Sequence, residues 1–313
     1  MSQFEIKLLK QGKEGLHVLS ASFFTMKDRY RDFEKYKRHL KNFLRQSRLL
    51  PTFVVRIYTD DSGKDIALEA AESYDHVTVL HYDYPKFREG DGHIGTLGTI
   101  PRFLPLFEKG LEMVYVSDID IPDSYLDVNI IAKMKKEGSK FLLPTRVCYQ
   151  QRKPYGRKYT ILAGQLIAKH IFSRAILTNF LKKLEDGGLD DALAKMNASN
   201  TRKPPSKIPY GIDEWFLNTV YYDSIRRLNV PVLAQVQYDF TGLIRDLTPQ
   251  EDAILLTQYR NPTEETTRKA MDVFRKKIPA LLGKYPCLQE VLDKQHLFKK
   301  DFILTFTVPS SEI

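Results

Sequence analysis

Asp118 and Asp120 stand one residue apart at the end of the apolar run in MVYVSDIDIPDSY (113–125). Alternate side chains of an extended chain project to one face, so both carboxylates can reach a single cation where the strand end opens on a cleft. Oxygen donors with no cysteine and no histidine cluster beside them suit Mg²⁺ or Mn²⁺ better than Zn²⁺, and such sites complete their coordination with substrate phosphates. The competing reading is structural, with Asp ending a strand and capping a turn before Pro122. A second acidic pair, Asp213 and Glu214, lies in GIDEWFLNTV (211–220) at a predicted helix start. There it either complements the helix N-terminus or faces a substrate as general base or nucleophile.

The elements that must position these residues alternate. LHVLSASFF (16–24) reads as a strand, RYRDFEKYKRHLKNFLRQS (29–47) as a helix with apolar residues at helical spacing, and TFVVRIYTD (52–60) as a second strand. A helix over 64–73, a strand HVTVLHYD (76–83), a glycine-rich loop KFREGDGHIGTLG and a short helix near Thr99 follow; Pro105 should shorten that helix. The four loop glycines suit mobility or close backbone approach. This order predicts an α/β fold with a mostly parallel sheet flanked by helices, whose ligands bind beyond the carboxyl ends of the strands. Downstream come strand-like KFLLPTR (140–146), TILAGQLIAKH (160–170) running into a helix that ends at Gly187-Gly188, a polar loop NASNTRKPPSK, a helix from about Asp213 and a strand PVLAQVQYDF (231–240). Residues 250–313 read as a mainly helical extension closed by DFILTFTV, packed on the domain formed by 1–249. No internal repeat is present.

With 313 residues, 42% apolar and 12% aromatic, the chain is long enough for a large core, which excludes disorder. Two cysteines, Cys148 and Cys287, build neither a disulfide framework nor a thiolate metal site, and the expected location is cytoplasmic. No signal-like or membrane-spanning stretch is expected, and the sequon at Asn197 then has no consequence. A net charge of +9 favours anionic partners without choosing among them. Its basic residues are dispersed apart from RVCYQQRKPYGRK (146–158), with no aromatic–basic repeat of the RNA-recognition kind, and no nucleic-acid partner is expected.

The run Val114 to Ile121 with its D-x-D resembles the donor-site strand of GT-A-fold glycosyltransferases, and three later segments resemble the glycogenin-like branch in order. ILAGQLIAK (161–169) is similar to its Asn-x-Gly strand, with Gly164 kept and the Asn missing. GIDEWFLNTV is similar to its Asp-Gln-x-x-Leu-Asn segment, with Glu214 in place of Gln. YDFTGLIR (238–245) is similar to its His-Phe-x-Gly-x-x-Lys segment, with Asp239 for His and Arg245 for Lys.

The resemblance implies a metal-dependent transfer of a sugar from a nucleoside diphosphate, UDP by analogy, to a glycan or protein hydroxyl. Asp118 and Asp120 would hold Mn²⁺ or Mg²⁺ against the diphosphate; Asp239 would be the third ligand or else cap the turn before Gly242. Gly242 would admit the phosphates, and Arg245 would supply a cation with a bidentate fork. Arg102 would contact the donor or else be a solvated arginine. Ser20 and Ser22 would bind base and ribose, and Tyr30 would stack on the base or pack in its helix. Gly164 would lie against the donor, and Asp213 and Glu214 would face the sugar and the acceptor. Asp60 and Asp61 are read mainly as turn residues, His93 as a surface histidine rather than a site residue, and His296 falls outside the matched segments. Two other functions compete: a nucleotidyltransferase, which usually has a glycine-rich loop after its first strand where SASFFTMKDRY has no glycine, and a non-catalytic basic module that binds nucleic acid.

Overall fold

Alternating apolar residues in the first third of the chain form the centre of one sheet. In a computed structural model, which describes residues 3–25, 32–120, 128–147, 155, 159–199, 203–237, 248–261, 263–282 and 303–310, the order begins β1 (Glu5–Lys10), β2 (His17–Ser22), α1 (Phe33–Ser47), β3 (Val54–Thr59), α2 (Lys64–Ala71) and β4 (Val77–Asp83). The helical spacing of Tyr36, Leu40, Phe43 and Leu44 buries one face of α1, and the Asp32 side chain caps its start by accepting from Lys35 N at 3.0 Å. These crossover helices let β2, β3 and β4 run parallel, while β1 adds antiparallel to the outer edge of β4. A small hairpin of β5 (Arg88–Glu89) and β6 (Gly92–His93) leads to a 3₁₀ segment, Pro101–Phe107, and to β7 (Met113–Ser117), which returns to lie parallel beside β2. Pro105 inside that segment is consistent with the tight 3₁₀ winding in place of an α-helix.

The second half supplies α3 (Val128–Lys136), β8 (Phe141–Val147), β9 (Tyr159–Ile161), β10 (Gln165–Ala168), α4 (Ala175–Glu185), α5 (Asp190–Ser199), α6 (Ile212–Phe216), a π-helical turn Leu217–Tyr221, α7 (Tyr222–Leu228) and β11 (Pro231–Gln237). It ends in α8 (Pro249–Arg260), α9 (Glu264–Leu282) and β12 (Ile303–Pro309). The sheet runs β1-β4-β3-β2-β7-β10-β8-β11-β12, with β9 paired on β8. α1, α2 and α3 pack their apolar faces with Leu19, Ile57 and Tyr115 on one side; the 3₁₀ segment and α4 to α7 cover Val114, Val116 and Leu166 on the other.

The architecture is α/β, with a mixed sheet in place of a mostly parallel one. β10 is antiparallel to both β7 and β8, and β12 is antiparallel to β11. β9 runs antiparallel to β8 and continues into β10 after only three residues, so β10 keeps that direction against both its neighbours. β11, reached through α4 to α7, is again parallel to β8. β9 and β10 are two pieces of one line along β8, since Ile161 pairs with Thr145 and Ile167 with Leu142, leaving three more residues on this strand than on β8. Leu162, Ala163 and Gly164 form that excursion. β12 brings the helical C-terminal extension back into the main sheet. The edge strand β1, the β5–β6 hairpin and the helices α3 and α5 were not expected from the sequence. Among the described residues no helix is long and apolar enough to cross a membrane.

Candidate functional site

Because β3 and β4 continue on one side of β2 and β7 lies on the other, the winding reverses between β2 and β7, where the carboxyl ends of both strands open a crevice. A cleft of about 340 Å³ sits there. Its lining includes Ser22 from β2, Arg102 from the 3₁₀ segment, Asp118 and Asp120 past β7, Gly164 from the excursion, and Asp213 and Glu214 from α6. β7 stops at Ser117, but its alternation persists: Ile119 packs in the core beside α3 while Asp118 and Asp120 stay half-exposed on the cleft side. Seven of the residues singled out from the sequence thus meet in one place. Tyr30, Asp239, Gly242 and Arg245 lie outside the described residues, as do Cys287 and His296.

Arg102 ties the cleft together. Its guanidinium donates to Asp118 Oδ1 through one amino group and to Asp213 Oδ2 through the other, at 2.6 Å for the latter. It is 4% exposed, so it is a buried bridge rather than a solvated arginine. Burial opposes its charge, but the two carboxylates outweigh burial and hold its pKa above the ordinary arginine value. Burial likewise pushes the Asp213 carboxyl above the usual carboxylate range, more than the attraction of Arg102 draws it down. Ser20 is fully buried and donates to the Arg102 carbonyl at 2.7 Å, so it anchors the segment carrying Arg102 instead of lining the cleft. Ser22 Oγ and Arg102 Nε are buried and have no hydrogen-bond partner among the described residues.

Gly164 is placed by its neighbours. Its carbonyl accepts from Asp118 N at 2.9 Å, and a Cβ on it would come within 3.1 Å of Asp118 Oδ2. A glycine here therefore leaves room in front of the carboxylate. The excursion is pinned from behind by Asn218 on the π-turn, a residue the sequence reading quoted without assigning a role. Its Nδ2 donates to Ile161 O and Glu214 O, each at 2.8 Å, and its Oδ1 accepts from Ile161 N at 2.8 Å. A π-turn inserts an extra residue into a helix and often marks a functional site. Gly211 precedes α6 at φ 93°, a conformation disfavoured for other residues, and so sets the entry angle of Asp213 and Glu214. Tyr155, from the basic segment, reaches Glu214 Oε1 at 3.4 Å.

The glycine-rich loop forms another wall by close approach. Gly95, at φ 58°, leaves no space for a Cβ, which would fall 1.9 Å from Ile208 O; next to it Thr96 donates through N to Ile208 O at 3.1 Å and through Oγ1 to Pro209 O at 2.8 Å. His93 is not a surface histidine. Its side chain is 3% exposed, with Nδ1 3.0 Å from Asp60 Oδ2 and Nε2 accepting from Tyr84 N at 3.0 Å. Asp60 also accepts from Tyr82 OH at 3.1 Å and from Ser62 N at 3.2 Å, so beyond its turn role it ties the loop to the end of β3. Asp61 pairs with Lys64, His81 and Arg88 on the same rim. A glycine-rich loop with one histidine and two preceding Asp residues was the available signal, but nothing in the sequence shows that these groups meet.

Among the described residues no group of three His, Cys, Asp or Glu is arranged to hold a metal ion. Asp118 and Asp120 are the two that could supply oxygens to a hard cation, and the space kept open by Gly164 before Asp118 fits such a use. Four carboxylates and one guanidinium carry the charge of the described lining. In a chain of net charge +9 this is a local reversal of sign.

No family model matches the chain, and no curated protein matches it. Similar solved structures exist. One is the "4-diphosphocytidyl-2C-methyl-D-erythritolsynthase" from Anaerococcus prevotii DSM 20548, at a TM-score of 0.36 and 11% identity, covering 79% of this chain and 98% of that one. A superposition that loose carries no argument about this chain.

Proposed function

We propose that the chain is a metal-dependent glycosyltransferase that moves a sugar from a nucleoside diphosphate, UDP by the sequence resemblance, to a hydroxyl of a glycan or protein acceptor. The observation that supports it is the acidic cleft at the winding reversal, which Asp118, Asp120, Asp213 and Glu214 line together with Arg102. Such a lining repels a bare diphosphate and attracts a divalent cation, so the anion needs a cation as its bridge.

Each residue then has a role. Asp118 and Asp120 would hold Mn²⁺ or Mg²⁺, with Asp239 as the further ligand the resemblance implies. A cation bound there supplies Lewis-acid neutralisation of the leaving diphosphate. Ser22 lines the cleft with its Oγ buried and unpartnered among the described residues, and would keep the nucleoside-side role the resemblance implies. Asp213, held by Arg102, would orient sugar hydroxyls. Glu214, half-exposed in the cleft, would accept the acceptor proton or attack the sugar carbon. Gly242 and Arg245 keep the phosphate-side roles the resemblance implies, Tyr30 that of a base contact, and the cytoplasm remains the proposed location.

A second reading is nucleotidyl transfer, the competing function left open by the sequence, which would use the same paired carboxylates at Asp118 and Asp120. One experiment separates the two. The protein is incubated with Mn²⁺ and a panel of nucleotide-sugars, and in parallel with nucleoside triphosphates and sugar phosphates. Release of UDP from a UDP-sugar supports sugar transfer; pyrophosphate release from a triphosphate, with no nucleotide-sugar consumed, establishes the second reading.

A further inference from the structure

Resting on the reading of Asp118 as a cation ligand, we infer that Arg102 is a built-in competitor for the cation, which makes cation and diphosphate binding mutually dependent. Three observations carry this. Arg102 pairs with Asp118 Oδ1, one of the two oxygens of the carboxylate a cation would use. Arg102 is the one positively charged side chain among the described residues lining the cleft, and it is buried, so its charge is not screened by water. Its second arm, on Asp213 at 2.6 Å, keeps it in place whichever way the first arm is used.

The consequence follows from charge balance. A cation arriving alone must share Asp118 with a charge-assisted, buried partner or take it. Either way it sets two positive charges against one carboxylate or leaves a guanidinium arm without an acceptor, which is costly. A diphosphate arriving alone meets Asp118, Asp120, Asp213 and Glu214. Arriving together, the cation takes Asp118 and the displaced guanidinium arm gains an anionic acceptor in the same cleft. Each ligand removes the penalty of the other, and the coupling is reciprocal by linkage. Arg102 is thus a positioning residue for cation loading, in addition to holding Asp213.

The test measures Mn²⁺ binding without turnover, by electron paramagnetic resonance of free Mn²⁺ and by calorimetry, with and without UDP. Arg102→Gln should bind Mn²⁺ alone about tenfold more tightly than the wild type, the equivalent of one charge-assisted hydrogen bond no longer competing, and the enhancement of Mn²⁺ binding by UDP should shrink by a similar factor. Circular dichroism checks folding. Where Arg102→Gln fails to fold, Asp213→Asn carries the test, because an Arg102 with one charged partner commits to Asp118 and Mn²⁺ alone should bind more weakly. If the wild type shows UDP-enhanced Mn²⁺ binding but Arg102→Gln binds Mn²⁺ alone no more tightly, or Asp213→Asn binds it as well as the wild type, the competition is refuted and the proposed function stands. If the wild type takes up no Mn²⁺ with or without UDP, both are refuted.

Discussion

Replacing Asn218 by leucine isolates the strut that shapes the cleft. Among the described residues β9 pairs on one edge with β8 and no strand lies on the other, and the Ile161 N–H and carbonyl bond to the Asn218 amide, each at 2.8 Å. Both residues are buried, Asn218 at 0% exposure and Ile161 at 1%. Leucine keeps the branching of the side chain but is bulkier, so the perturbation is the loss of hydrogen bonding with some crowding at the 2.8 Å contacts, and not a cavity. Two backbone groups become unsatisfied, at roughly 1–3 kcal/mol each, for a total of about 2–6 kcal/mol. That is a large part of the roughly 5–15 kcal/mol that holds a domain folded, and in a chain of 313 residues it corresponds to a fall in Tm of about 3–9 °C. Urea titration followed by circular dichroism measures the first quantity and calorimetry the second. Below the new Tm, ligand affinity in the cleft should fall as well, because Leu162 to Gly164 lose their rear support. A loss under about 1 kcal/mol would show that Ile161 finds other partners and that Asn218 does not hold the excursion.

Other expectations follow from the same geometry. Gly164→Ala puts a methyl 3.1 Å from Asp118 Oδ2 at an unstrained backbone position, so stability should change by less than about 1 kcal/mol while affinity for UDP with Mn²⁺ drops by about tenfold; unaltered affinity would detach Gly164 from the ligand carboxylate. Glu214→Gln should keep UDP and Mn²⁺ affinity and lower turnover by about 10² to 10⁴, as for a lost acid-base group, whereas lost affinity with full turnover would move Glu214 to the nucleotide side. At the loop rim, hydrogen bonding from Lys64 holds the Asp61 carboxyl below the usual range, and at Asp83 the upward push of burial is outweighed by Arg88 and His93, which hold it low as well. A depressed folded pKa gives stability that is present above the unfolded pKa and lost as pH falls through the folded one, so stability should decline below about pH 4. Asp83→Asn should flatten part of that decline in denaturant titrations across pH, and an identical slope would remove Asp83 from the acid transition.

Local patterns were legible where they decide the outcome locally. Apolar runs located β2, β3, β4 and β7, which are central strands largely buried under helices, and helical spacing located α1, which buries one face against the sheet. The D-x-D and the Asp213-Glu214 pair were legible as carboxylates at element ends, which the structure brings into one cleft. What stayed hidden depends on contacts distant in sequence. TILAGQLIAKH reads as a single strand, and the register slip that turns Leu162 to Gly164 into the cleft shows only against β8. Arg102 read equally as a solvated residue because its partners lie 16 and 111 positions away. The edge strand β1 carries the alternation of Phe4, Ile6 and Leu8 in a charged setting, with Ile6 and Leu8 left 40% and 49% exposed, and its signal is correspondingly weak.

The central claim is that a divalent cation at Asp118 and Asp120 bridges a nucleoside diphosphate into this cleft. Calorimetric titration of UDP into the protein, with and without saturating Mn²⁺, tests it most directly when run beside Asp118→Ala and Asp120→Ala. Cation-dependent UDP binding in the wild type is expected, abolished in both variants while each retains its circular dichroism spectrum. Equal UDP affinity with and without Mn²⁺, or undiminished cation-dependent binding in either variant, would contradict it.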